Sequence, residues 1–352
     1  MKRKIVVFVL SALFLFSTHA SAEVIKLKLA NYFPPMHMNS ALFDKYCADL
    51  NQKLAGKVEI TQYKGGILLG PDKMATGVLS GITDIGFCPI SYNRGRFPVM
   101  EIMEMPLGFP SSWISGHVAN DFYNKFKPKE LDKYKVLYLS MTPTNVVQTA
   151  KKPVRTLDDI KGLKLRANAV MGDIAKALGA TPIPMPAGDM YEALRKGIID
   201  GIYLNMETLK GFNTGEIIRY VTPPWHLGSG AVLITFMSKK KWGSLPPDVQ
   251  KVISDYSTQF MERHTVEFNR IEIEGQQFFL SKGGKIIPLS NAEGAKWVKA
   301  VQPVIDDYKK SMVAKGYKAA DIDKYISFIK ERTIYWTKQE KARKIPSAYP
   351  HD

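Results

Sequence analysis

From Asp248 to Lys282 the sequence contains no proline and a single glycine, Gly275. Pro246-Pro247 stands just before it, at the first helical positions, where proline is tolerated. Asp248 falls in the first turn, where an acid suits the helix dipole. Gly283-Gly284 ends the run. Val249, Val252, Ile253, Tyr256, Phe260, Val266, Phe268, Ile271 and Ile273 follow a helical stripe. One helix over 246–282 would be about 50 Å long at ~1.5 Å per residue. That exceeds one small domain, so such a helix has to lean across two bodies. The competing arrangement is a pair of helices broken near His264-Thr265 or at Gly275.

The remaining sequence supplies two bodies. A chain of 352 residues makes about two domains at roughly 100–200 residues each. Residues 23–31 alternate as a strand, 39–54 read as an amphipathic helix, 57–63 as a strand, 71–81 as a helix and 84–88 as a strand. Strands alternating with helices mark an α/β domain with a mainly parallel sheet. A second such set follows. It has extended stretches at 136–141 and 145–150, a strand ending at Arg166, helices at 171–178 and 189–196, and a strand at 198–203. Further strands are expected at 231–237 and 285–289, and helices at 291–315 and 321–332. The tail from Thr333 reads as poorly ordered.

Residues 1–22 do not enter the fold. Lys2-Arg3-Lys4 precedes a twelve-residue apolar run, and Ala20-Ser21-Ala22 is an A-x-A cleavage signal. This is the pattern of a secretory signal peptide, which places the rest in the periplasm, beginning at Glu23. The chain is basic, with 49 Lys and Arg against 33 Asp and Glu. Its field attracts anions. Nucleic acid is excluded as a partner, because the compartment is wrong and the lysines are scattered. Cys47 and Cys88 lie in an oxidising compartment, so they either pair or remain as two buried thiols.

Enzyme motifs are absent. The sequence has no G-x-S-x-G elbow, no H-E-x-x-H, no phosphate-binding G-x-x-x-x-G-K-[ST] and no G-x-G-x-x-G opening a helix. The histidines show no ligand spacing, and Met36-His37-Met38 reads as loop packing, so neither metal nor cofactor is expected. What remains is an arginine at a strand end. Arg166 closes the segment T-L-D-D-I-K-G-L-K-L-R, at the carboxyl end of a strand, where open α/β sheets bind ligands. A guanidinium there can grip a carboxylate through two parallel hydrogen bonds, and the next helix offers free N–H groups. A lone arginine at such a place can equally form a structural ion pair, for example with Asp158 or Asp189.

The residues decide between these through a resemblance. Leu68-Leu69-Gly70-Pro71, Asp84-Ile85-Gly86, Gly95-Arg96-Phe97-Pro98, the 157–166 segment, Gly179-Ala180-Thr181-Pro182, Asp200-Gly201 and Trp242-Gly243-Ser244-Leu245-Pro246-Pro247 occur in an order that resembles a known family. These are the DctP-like solute-binding subunits of tripartite ATP-independent periplasmic (TRAP) transporters. The resemblance spans residues 23 to about 332. It implies a two-lobed periplasmic-binding-protein fold, each lobe a mostly parallel sheet flanked by helices, with hinge strands and a long helix bracing both lobes. Lobe I is expected from 23–143 plus 230–270, and lobe II from 144–229 plus 271–352. The implied activity is capture of an organic anion, a carboxylate or a sulfonate, by a salt bridge to Arg166. Delivery to small and large membrane subunits and ion-gradient-driven uptake would follow. A ligand-sensing subunit serving a membrane receptor is the alternative. No catalysis is implied, and a monomer is expected.

The family's sialic-acid binders carry a second ligand arginine twenty residues earlier, where this sequence has Val146 beside Asn145. That weighs against sialate and against C4-dicarboxylates, unless Arg94, Arg96 or His37 supplies a second charge. Position alone nominates the other ligand residues. Asn31, Tyr32 and Phe33 end the first strand, with His37 just beyond. Tyr92 follows the 84–88 strand, Asn205 and Glu207 follow Asp200-Gly201, and Trp225-His226 precedes the strand at 231–237.

Overall fold

The computed structural model describes residues 23–349. The expected signal peptide and its expected cleavage point lie outside the described residues. Two mixed sheets form the centres of two lobes. Strands, numbered in chain order, are β1 (Ile25–Asn31), β2 (Val58–Tyr63), β3 (Ile85–Pro89), β4 (Tyr134–Met141), β5 (Val146–Thr149), β6 (Lys164–Arg166), β7 (Thr181–Ile183), β8 (Gly201–Leu204), β9 (Tyr220–Thr222), β10 (Val232–Ser238) and β11 (Lys285–Ile286). The first sheet runs β2-β1-β3-β10-β4 and the second β11-β9-β5-β8-β6-β7. The helices are α1 (Met38–Lys53), α2 (Met74–Ser80), α3 (Ser112–Phe126), α4 (Ala169–Ala177), α5 (Met190–Arg195), α6 (Glu207–Gly211), α7 (Lys239–Gly243), α8 (Pro247–Ser281), α9 (Asn291–Ala314) and α10 (Ala319–Arg343). None of the described helices is long and apolar enough to cross a membrane.

The sheets are less parallel than the strand–helix alternation suggests. β10 lies antiparallel to both β3 and β4, and β5 antiparallel to both β8 and β9. Besides the long helix α8 and the C-terminal segments, the chain passes between the lobes at 142–145 and at 223–231. A strand that arrives from the other lobe enters at the end where its neighbours finish, so it runs against them. The two crossings are bonded to each other. Thr142 N donates to the Ala231 carbonyl at 3.0 Å, and Asn145 N donates to the Ser229 carbonyl at 2.8 Å. This pair of segments is the hinge.

α8 is continuous through His264-Thr265 and Gly275. Its buried face repeats every three or four residues: Val249, Ile253, Tyr256, Phe260, His264, Phe268, Ile271, Gly275 and Phe279. The first two-thirds packs on α1, α3 and β4, and the last turns reach α6 of the second lobe. Each buried aromatic there contributes about 1.5–3 kcal/mol of hydrophobic stabilisation. Gly275 exists for a close approach, because a Cβ at that position would lie 2.2 Å from the Met206 carbonyl oxygen.

One expectation, that of a poorly ordered tail, is corrected, and the open question of the cysteines is answered. The tail from Thr333 is helical to Arg343, and Tyr349 beyond it is buried. α10 holds because one edge is anchored. Trp336 stacks on His117 at 3.9 Å and donates Nε1–H to Asp121, which also takes Arg332. α10 packs on α3 of the first lobe as well as on α9. The cysteines are not bonded to each other, and both thiols are buried. Burial pushes the Cys47 thiol up to about 12 and Cys88 well above its ordinary value.

Candidate ligand-binding site

Four segments meet where the strands end between the lobes. The turn after β1 brings Tyr32 and Phe33, and the turn after β3 brings Ser91 and Tyr92. β6 brings Arg166, with Asn168 just after it. The end of β8 and the start of α6 bring Asn205, Glu207 and Thr208. Met171, Phe212, Thr142, Pro89 and Leu204 complete the wall around a space of about 50 Å³.

Arg166 is 4% exposed and makes no ion pair among the described residues. Its Nε and Nη2 donate to the Met185 carbonyl at 3.1 and 2.8 Å, and Nη2 also donates to the Tyr92 hydroxyl at 3.0 Å. Nη1 has no partner among the described residues. Asp158, a candidate structural partner, pairs instead with Lys161 at the surface. A buried guanidinium without an acid is costly, and an anion at Nη1 would relieve that cost. Tyr92 reinforces this. Its oxygen accepts from Arg166 Nη2 and from Ala187 N, both at 3.0 Å. The hydroxyl proton therefore remains free to donate to a ligand oxygen. Burial, with the Tyr92 phenol next in effect, holds the Tyr32 phenol well above its usual range, so it stays protonated. Asn205 adds a buried Oδ1 with no hydrogen-bond partner among the described residues.

Local backbone fixes these groups. Asn168 exchanges two hydrogen bonds with Met185, Nδ2 to the carbonyl at 3.2 Å and Oδ1 from the N–H at 3.0 Å. The following Ala169 takes φ 45°, a left-handed conformation that alanine avoids. Glu272 of α8 accepts from Met206 N at 2.9 Å and Glu207 N at 2.8 Å, capping α6.

The nominated residues separate into groups. Tyr32, Phe33, Tyr92, Arg166, Asn205 and Glu207 line the cavity. His37 stands at its edge. It pairs with Glu207 across the lobes at 3.1 Å, with both side chains buried, and its ring packs at a tilt against Phe33, 4.4 Å between centroids. Asn31 does not reach the cavity. Its Oδ1 accepts from Phe33 N and its Nδ2 donates to Ser40, which shapes the turn that presents Tyr32. Trp225 and His226 also lie elsewhere. Trp225 packs on Tyr349 at 3.9 Å, and His226 lies so close to Gly294 of α9 that a Cβ there would sit 2.3 Å from Nδ1. No second cation joins Arg166 in the wall. Arg94 pairs with Asp173 across the lobes at 2.5 Å, Arg96 reaches Tyr134 at 3.5 Å, and Val146 is in the core. Sequence reasoning missed Ser91, Thr142, Asn168, Met171, Thr208 and Phe212. Ser91 and Asn168 carried a usable signal, since both closely follow strand ends.

The chain has recognisable relatives in sequence and in fold. The family described as "Bacterial extracellular solute-binding protein, family 7" (DctP) matches residues 30–311. The C4-dicarboxylate-binding periplasmic protein DctP of Vibrio cholerae is 24% identical over 278 residues, 77% of this chain and 82% of that one. A TRAP periplasmic solute-binding protein from Desulfovibrio salexigens is 32% identical, with TM-score 0.78. The match covers 89% of this chain and 96% of that one. It was solved as an open complex with the C-terminus of a symmetry mate in its ligand-binding site. A marine metagenome TRAP protein specific for aromatic acids, solved with 3-hydroxybenzoate, is 24% identical with TM-score 0.82, over 89% of this chain and 98% of that one. The chain belongs to the DctP family of bacterial extracellular solute-binding proteins, the non-enzymatic organic-acid-binding components of TRAP transporters.

Proposed function

We propose that this protein captures a compact organic monoanion, a monocarboxylate or a sulfonate, through Arg166. It then delivers the anion to small and large membrane subunits for ion-gradient-driven uptake. The chain acts in the periplasm after cleavage following Ala22. The observation that carries the reading is the buried Arg166 guanidinium, which has a free Nη1 and no acid partner among the described residues. Tyr92 supplies a second donor to the same oxygens, and Asn205 a polar contact to the body. Tyr32, Phe33, Met171 and Phe212 offer an apolar wall. Glu207 is the one carboxylate in that wall, and it disfavours a second negative charge on the ligand. The space of about 50 Å³ is several times the ~10–15 Å³ that admits one water, which suits a short acid. In the Desulfovibrio relative a chain terminus occupies the ligand site, and a terminus is a carboxylate.

A thermal-shift screen of residues 23–352 tests this. The panel holds monocarboxylates, dicarboxylates, keto acids, aromatic acids, sugar acids, sialate and sulfonates. A ligand at 100 times its Kd adds about 2.7 kcal/mol, a shift of several degrees. Arg166→Ala should remove it, because breaking a buried charge pair costs ~3–5 kcal/mol, or about two to four decades of affinity. Unchanged binding in Arg166→Ala would refute the site, and a dicarboxylate as the best ligand would refute the monoanion.

A further inference from the structure

α10 ends where Lys344 turns left-handed at φ 55°. The chain then leaves α3 and follows α8, where Asn269 Nδ2 donates to the Pro346 carbonyl at 2.9 Å. Tyr349 is buried among Val146, Met206 and Phe279 of the second lobe. Its ring meets Trp225 edge-on at 3.9 Å. Its hydroxyl reaches Glu272 Oε1 at 2.6 Å and the Thr144 carbonyl at 2.9 Å. A phenol has one proton to give, so the two acceptors share it.

Both acceptors lead to the cleft. Glu272 holds the N–H groups of Met206 and Glu207, the start of the helix that carries Glu207 and Thr208 to the cavity directly after Asn205. Thr144 belongs to the 142–145 crossing, which begins at the cavity residue Thr142 and is half of the hinge. Packing alone would be served by phenylalanine, which fills the same space. The buried hydroxyl is explained by its polar partners.

We propose that Tyr349 is a positioning residue for the ligand cavity, fixing the start of α6 through Glu272 and the hinge crossing through Thr144. The inference rests on the reading of the cavity as the ligand site.

Amide hydrogen exchange on residues 23–352 tests it, with wild type, Tyr349→Phe and Tyr349→Ala compared. In Tyr349→Phe the amides of Met206, Glu207 and Asn145 should exchange roughly five- to tenfold faster, the scale of one net hydrogen bond. Amides of the first sheet should not change. Tyr349→Ala, which also removes the ring, should open the second lobe more broadly. Unchanged exchange at Met206 and Glu207 in Tyr349→Phe would overturn the proposal. A uniform rise across the whole second lobe would also overturn it, since that would mark an ordinary core residue. Benzoate titrations of the same proteins should show weaker binding in Tyr349→Phe, and equal affinity would overturn the link to the cavity. Benzoate bound by none of them counts against the ligand class alone, and the exchange pattern then decides the role of Tyr349.

Discussion

Gly275→Ala is the sharpest test of how the two lobes are joined. A methyl there would lie 2.2 Å from the Met206 carbonyl oxygen, 2.7 Å from its carbon and 2.8 Å from Glu207 Cα. Carbon and oxygen normally approach no closer than about 3.3 Å, so α6 must retreat by about 1 Å. All the crowding atoms are backbone, and no rotamer change relieves them. The same retreat stretches the Glu272 bonds to Met206 N and Glu207 N, now 2.9 and 2.8 Å, past hydrogen-bonding range. Overpacking costs about 1–3 kcal/mol and the weakened bonds roughly 1–2 more. Alanine regains ~1 kcal/mol of helix propensity over glycine. The net loss is about 1–4 kcal/mol, or a fall in Tm of roughly 1–6 °C for a chain this size. Calorimetry of residues 23–352 measures it, with Gly243→Ala as the control, since nothing lies within 4 Å of that position. The control should match or slightly exceed wild type. A Gly275→Ala protein as stable as the control would refute the close-approach argument.

Three further outcomes are expected. Burial pushes the Glu104 carboxyl up to about 8, so the folded chain holds a proton that the unfolded chain releases near 4.5. The stabilisation is therefore complete below that value and lost as pH rises through 8, on the order of a few kcal/mol; Tm should fall between about pH 5 and 8, and Glu104→Gln should make the fall shallower, the rest coming from Glu130, Glu272 and Glu340, which burial also raises. Ala169→Gly relieves a left-handed alanine at a cost in chain entropy, so Tm should rise by a degree or two, up to ~1 kcal/mol, and a fall would contradict the assigned conformation. Cys47 and Cys88, buried with raised thiols, should react with a thiol reagent only on unfolding, whereas prompt labelling of either would contradict their placement.

The long helix was readable because the absence of proline over 35 positions leaves few alternatives. Arg166 was nominated by its place at a strand end, and only the family resemblance favoured a ligand contact over a structural ion pair. Loop residues were readable only as neighbours of the cleft. Tyr32 and Asn31 are adjacent in sequence, yet one lines the cavity and the other builds the turn, and alternation along a strand does not extend into the loop beyond it. Trp225 and His226 failed for the same reason, since a hinge crossing has two sides. The last turns of the C-terminal helix, beyond the expected 321–332, were obscured because that face is held by Trp336, Arg332 and a buried His117 partner rather than by an aliphatic stripe. Sheet direction was lost because strand–helix alternation says nothing about a chain that changes lobes midway.

Tyr92 and Arg166 come from different lobes and touch each other at the place where the proposed anion would bind. On the proposed reading the same guanidinium would register two events, the approach of the opposite lobe and the arrival of a negative charge. Closing without the anion would strand a positive charge away from water, a penalty of several kcal/mol. Each 1.4 kcal/mol lowers the closed, unloaded population tenfold. The contact would then work as a coincidence detector. A membrane subunit that recognises only the closed shape would then rarely meet a carrier with nothing to deliver, although it never inspects the cargo itself.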